Sequence, residues 1–95
     1  MQLAKVVGQA VSTVKEPGLG RYTLLVLEDS TGTEPTGNPA YVAVDLVGAG
    51  TGEVVLVISG SAARVAAGAD VPTDRAVVAI VDSVVRAGQV TYRKA

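Results

Sequence analysis

The amino-acid sequence predicts an all-β domain. Three observations carry that reading. The apolar residues fall into short, Val-rich runs; Gly, Pro and Asp or Asn separate those runs; and only one segment has helical character. The chain has 95 residues, which is one domain's worth, spanning residues 1–95.

The first run, Leu3 to Val14, carries Gly8 near its middle, where a strand bends or bulges. Lys15-Glu16-Pro17-Gly18 closes it as a turn, because Pro fixes φ and Gly accepts a positive one. A second run covers Tyr22 to Leu27, and a polar stretch, Glu28 to Pro39, follows as a loop. The third run is Tyr41 to Val47, and Gly48-Ala49-Gly50-Thr51-Gly52 links it directly to a fourth, Glu53 to Ile58. Ser61 suits a helix N-cap, the Ala-rich stretch after it has the highest helix propensity in the chain, and Gly68 suits the C-terminal stop. Beyond a Pro72-containing turn, Ala76 to Val85 reads as one long strand buried on both sides. Ala87-Gly88 then turns the chain into a last short strand, Gln89 to Arg93. Five main strands with one short helix between the fourth and fifth is the count of a five-stranded OB-like barrel.

Composition narrows the function. Apolar residues make up 48% of the chain and charged residues 18%, which excludes a disordered chain. Val and Ala dominate, with 3 Tyr and no Phe or Trp, so the core is thin for one protomer and points to completion in an oligomer. A net charge of −1 argues against nucleic acid and anionic lipid as partners, since both attract concentrated positive charge. There is no Cys for disulfides or thiolate metal sites and no His for acid/base or metal chemistry. The N-terminal stretch is interrupted by Lys5, Gly8 and Gln9 and does not read as a signal segment, so the expected location is the cytoplasm, without a membrane partner.

Few motifs invite chemistry. Gly48-x-Gly50-x-Gly52 lacks the spacing of a dinucleotide fingerprint and precedes a strand, so it reads as a tight strand-to-strand loop needing unusual backbone angles, with Gly50 the position at which to test for a positive φ. Its amides remain available to face an anion or a narrow channel. Asp45 and Asp82 lie inside apolar runs and are expected to accept hydrogen bonds from loop amides or an Arg rather than to form a catalytic pair. Neither Ser59 nor Ser61 has an activating base, so no catalytic residue, metal or cofactor is expected. Arg64 stands among small residues, open either to solvent or to a neighbouring surface.

Three ordered segments resemble the pentameric vertex proteins of bacterial microcompartments, the EutN/CcmL family. They are Met1-Gln2-Leu3-Ala4-Lys5-Val6-Val7-Gly8; Val42-Ala43-Val44-Asp45-Leu46-Val47-Gly48-Ala49-Gly50-Thr51-Gly52-Glu53-Val54-Val55-Leu56-Val57, continuing through Ile58-Ser59-Gly60-Ser61-Ala62-Ala63-Arg64; and Pro72-Thr73-Asp74-Arg75-Ala76-Val77-Val78-Ala79-Ile80-Val81-Asp82-Ser83-Val84. The resemblance implies an OB-like barrel assembled as a cyclic homopentamer. It also implies a structural role, that of capping the vertices of a carboxysome or catabolic metabolosome shell built mainly from hexameric and pseudohexameric proteins. It places Gly60, Ser61, Ala62, Ala63 and Arg64, with Ile80, Val81 and Asp82, at contacts with neighbouring shell subunits. The loop of Gly48, Ala49, Gly50, Thr51 and Gly52 would approach the axial opening. The residues leave another class open, an OB-fold module that binds a small ligand or single-stranded nucleic acid.

Overall fold

The computed structural model describes residues 1–95. Strands β1 (Gln2–Ala10), β2 (Leu24–Asp29), β3 (Tyr41–Asp45), β4 (Val54–Ser59) and β5 (Arg75–Ile80) form a closed barrel in the order β1-β2-β3-β5-β4. A 3₁₀ turn (Pro17–Leu19) lies between β1 and β2, and helix α1 (Ser61–Ala67) lies between β4 and β5. All neighbours are antiparallel except β3 and β5, whose parallel seam consists of Val44 opposite Ala76 and Asp45 opposite Val77.

Alternation explains the interior. Ala4 and Val6, Leu25 and Leu27, Ala43, Val55 and Val57, and Val77 point inward and form one buried cluster. The bulge expected near Gly8 is present: the β1–β2 register slips between Val6 and Gly8, leaving Val7 as the extra residue. A second slip, opposite Leu56 and Val57, leaves Val78 as an extra residue and bends β5. Such kinks let so few strands curl into closure.

A second apolar cluster lies outside the barrel wall. Ala63 and Ala67, one helical turn apart, turn toward Val44, Ala76 and Val71. The parallel seam is therefore buried on both faces, Ala43 and Val77 toward the interior and Val44 and Ala76 toward α1. The Tyr22 hydroxyl donates to the Ala67 carbonyl at 2.8 Å and holds the end of the helix.

Two expectations need correction. Ser61 does not cap the helix. Gly60 occupies that position with φ +67, no side-chain hydrogen bond caps the helix, and the Gly60 amide donates to the Asp74 carbonyl at 2.8 Å instead. Gly68 stops the helix as expected, its amide donating to the Arg64 carbonyl.

The second correction concerns Ala76 to Val85, which is not one strand. β5 ends at Ile80 because its partner β4 begins at Val54, and the amide of Val81 makes the last barrel bond, to the Val54 carbonyl. With no partner left, the chain leaves the barrel and pairs with itself as a hairpin, β6 (Ser83–Arg86) with β7 (Gln89–Arg93). Ala87 and Gly88 both have positive φ, +49 and +77, as a two-residue hairpin turn of the twist-matching kind requires. With this hairpin outside the barrel the molecule measures 44 × 24 × 22 Å.

Leu27 is fully buried in the barrel interior, and its neighbours there are mostly Val and Ala, which cannot collapse far into a void. Leu27→Ala is expected to cost about 2–5 kcal/mol in chemical denaturation. A loss below about 1 kcal/mol would show that the interior repacks freely.

Candidate subunit-contact surfaces and the glycine loop

The loop from β3 to β4 is organised by two carboxylates of its own. Asp45, the last residue of β3, accepts from the amides of Val47 (3.1 Å) and Gly48 (3.0 Å) on one oxygen and of Ala49 (2.9 Å) on the other. Glu53 accepts from the amide of Gly50 at 2.6 Å. The Gly52 amide donates to the Val6 carbonyl at 2.8 Å, joining the loop to β1. The expectation that Asp45 serves loop amides holds. The amides of Val47, Gly48, Ala49, Gly50 and Gly52 are thereby committed to partners within the chain, so the anion-facing reading of this loop fails.

The unusual backbone angles expected of this loop are present, but at its outer glycines and not at Gly50. Gly48 and Gly52 have φ of +77 and +91, whereas Gly50 has no positive φ and a Cβ there would meet Glu53 at an ordinary 3.5 Å. The two outer glycines reverse the chain, and Gly50 only brings its amide to Glu53.

Glu53 also holds the C-terminal end of the chain. Its other oxygen pairs with Lys94 Nζ at 2.6 Å, just beyond β7, while the Lys94 amide donates to the Asp82 carbonyl at 2.7 Å. The Lys94 ammonium foremost, with the Gly50 amide, holds the Glu53 carboxyl below its ordinary range, and the Lys94 amine is correspondingly raised by Glu53. Asp82 itself is exposed, its carboxylate accepts no hydrogen bond within the chain, and it stands between β5 and β6 rather than inside a strand.

The remaining sequence-predicted residues fall at opposite ends of β5. Gly60, Ser61 and Arg64 line a shallow groove with Pro72, Thr73 and Asp74, near where β5 begins. Ala63 is buried beneath the helix and Ala62 is exposed, and the Arg64 guanidinium is exposed and makes no salt bridge. Ile80, the last residue of β5, and Val81 and Asp82 after it lie at the far end of that strand, beside the start of β4. The two segments are thus two surfaces, not one.

Sequence reasoning missed a polar cluster at the end of β2. Asp29 is buried and accepts from Tyr41 Oη (2.7 Å), Gln2 Nε2 (2.8 Å) and Asn38 Nδ2 (3.1 Å), while the Arg75 guanidinium lies 3.9 Å from the Tyr41 ring centre. Burial, followed by the bond to the Asp29 carboxylate, pushes the Tyr41 hydroxyl well above its ordinary value. The signal was present, because Leu25, Leu27 and Asp29 continue one alternation. Every member of this cluster is satisfied, and no group of acidic residues is arranged to hold a metal ion.

The barrel, its single helix and a site without catalytic geometry set the terms for comparison with known proteins. The sequence profile of the family described as ethanolamine utilisation protein EutN/carboxysome matches residues 1–82. The chain belongs to this family. It is 48% identical to the bacterial microcompartment shell vertex protein EutN of Escherichia coli K12, over 99% of this chain and all of that one. A solved structure of an ethanolamine utilization protein EutN superposes with a TM-score of 0.91 at 46% identity, covering both chains fully. The pentameric microcompartment shell protein GrpN of Rhodospirillum rubrum superposes with a TM-score of 0.78 at 46% identity, over 88% of this chain and 96% of that one. The work of the EutN/CcmL family is structural, at shell vertices, and not enzymatic. The OB-like barrel expected from the strand count is the fold of these relatives.

Substitution separates the glycines. Gly48→Val and Gly52→Val should each cost about 1–3 kcal/mol, because a branched side chain is strained at positive φ, while Gly50→Ala should stay within about 0.5 kcal/mol. Equal effects at all three positions in denaturation would contradict this assignment.

Acid should loosen the Glu53–Lys94 tie. The folded-state value of Glu53 is lowered, so its contribution is present above its ordinary 4.5 and disappears as pH falls through the lowered value. Amide exchange in β6 and β7 is expected to quicken over that acid range, and Glu53→Gln should abolish the pH step. An unchanged step in that variant would assign it to another group.

Proposed function

We propose that this chain assembles as a homopentamer that caps the fivefold vertices of a bacterial microcompartment shell. The single observation that carries the reading is the match, over 88% of this chain, to a shell protein that is itself pentameric. The two ends of β5 expose separate surfaces, which suits a subunit that meets more than one neighbour in a shell.

In this assignment the hexameric and pseudohexameric shell proteins are the partners at the pentamer's rim. Gly60, Ser61, Ala62 and Arg64 form one contact; Ala63, expected beside them, is buried inside the subunit and supports the helix instead. The small residues allow close approach, and the unpaired guanidinium offers a planar five-donor group to carbonyls or carboxylates of another subunit. Ile80, Val81 and Asp82 form the second, with the Asp82 carboxylate free to accept. The loop from Gly48 to Gly52 faces the axial opening. The amides of Gly48, Ala49 and Gly50 are already occupied by Asp45 and Glu53 and that of Gly52 by the Val6 carbonyl, so the loop presents a braced lining rather than an anion site.

Native mass spectrometry of the purified protein should give five subunits, and a monomer or an even-numbered oligomer would contradict the assignment. Arg64→Ala should leave the isolated pentamer folded and reduce its recovery in particles co-expressed with hexameric partners. Removing an interface Arg of this kind costs about 2 kcal/mol or more, against almost nothing for a solvated one. Unchanged occupancy of the variant in purified particles would remove Arg64 from the contact.

A further inference from the structure

The hairpin β6–β7 lies beyond residues 1–82, the span matched by the family profile, and outside the barrel. A two-stranded ribbon on its own is marginally stable in water. Its register separates two apolar pairs. Val84 lies opposite Tyr92 and Val85 opposite Val90; Val84 and Val85 are neighbours on the unbulged strand, with Thr91 the extra residue of β7, so the two pairs lie on opposite faces. The half nearest the barrel is covered: a Cβ on Gly32 would lie 3.2 Å from Tyr92 Cβ and 3.6 Å from a Val84 methyl. The half at the tip is bare, with Val85 61% and Val90 49% exposed.

Charge says what covers it. Residues 83–95 carry Arg86, Arg93 and Lys94 and no acidic residue, leaving five basic and nine acidic residues in the other 82. Lys94 is paired with Glu53, while Arg86 and Arg93 make no salt bridge. A basic, apolar arm on an acidic barrel suits the barrel of another copy of the same chain.

A surface of that kind exists. Between β3 and the segment entering β5, a groove of about 170 Å³ is lined by Leu19, Leu24, Val42 and Pro72, with Asp74 at its edge, and Val42 is 46% exposed. The groove adjoins the start of β5, whereas the hairpin leaves at its other end, roughly 20 Å away along six strand residues. The arm spans only about five residues from Asp82 to its turn and is already seated on Gly32, so it cannot reach its own groove.

We propose that β6–β7 is an assembly arm laid on the neighbouring copy, with Val85 and Val90 seated in its Leu19–Val42–Pro72 groove and Arg86 facing its Asp74. The inference rests on the pentameric reading above and adds the residues that make the ring contact head to tail.

The chain has no cysteine, so introduced ones report cleanly. In the Val90→Cys/Val42→Cys protein, mild oxidation should give a covalent ladder reaching five subunits on a non-reducing gel, and neither single variant should exceed a dimer. A variant that is pentameric by native mass spectrometry yet forms no ladder overturns the arm and leaves the pentamer standing. A wild-type protein that is not pentameric overturns both. Charge reversal gives a second measurement free of cross-linking. Arg86→Glu should raise the concentration for half-dissociation about tenfold, and adding Asp74→Arg should restore it. A double variant as weak as the single one overturns the Arg86–Asp74 pairing.

Discussion

Barrel closure depends on its shortest seam. Two residue pairs, Val44 with Ala76 and Asp45 with Val77, join β3 to β5 in parallel, and such pairs are stable when covered on both faces. The interior cluster covers one face and the short Ala-rich helix covers the other. The smallness of Ala63 and Ala67 follows from this constraint, because larger side chains would lift the helix from the wall it seals.

The same seam sets the glycine loop. Asp45 is the last residue of the strand; the Leu46 amide still reaches the Val77 carbonyl, and the Asp45 carboxylate then gathers the amides of Val47, Gly48 and Ala49. Glu53 does likewise from the opposite side and also anchors Lys94, so one carboxylate ties together the loop, the start of β4 and the chain leaving the hairpin. Negative side chains here replace a ligand as the organisers of a glycine-rich turn, which is why such a turn occurs in a protein whose family performs no chemistry.

Local signals in the sequence carried far. Val-rich runs and turn residues located all five barrel strands, the bulge at Gly8 and the last strand from Gln89 to Arg93, and the ordered motifs located the family. Three features depended on information that is not local. The run from Ala76 to Val85 is uniformly apolar apart from Asp82 and Ser83, and only the length of its partner β4 decides that it breaks at Val81. Ser61 is a better capping residue than Gly60, but the chain reversal before the helix needs the positive φ of Gly60 and displaces it. Asp29 looked like loop because it sits among polar neighbours, while Tyr41 and Gln2, which satisfy it, lie 12 and 27 residues away.

An interior of Val, Ala and Leu without Phe or Trp has a mechanical meaning. Branching at Cβ restricts the side-chain torsion of Val, so such an interior has few alternative packings to explore. The wall therefore has little internal freedom with which to absorb a load. A barrel filled with stiff, branched side chains holds its shape when its surface is loaded, so any adjustment between neighbouring copies falls to the joints rather than to the wall.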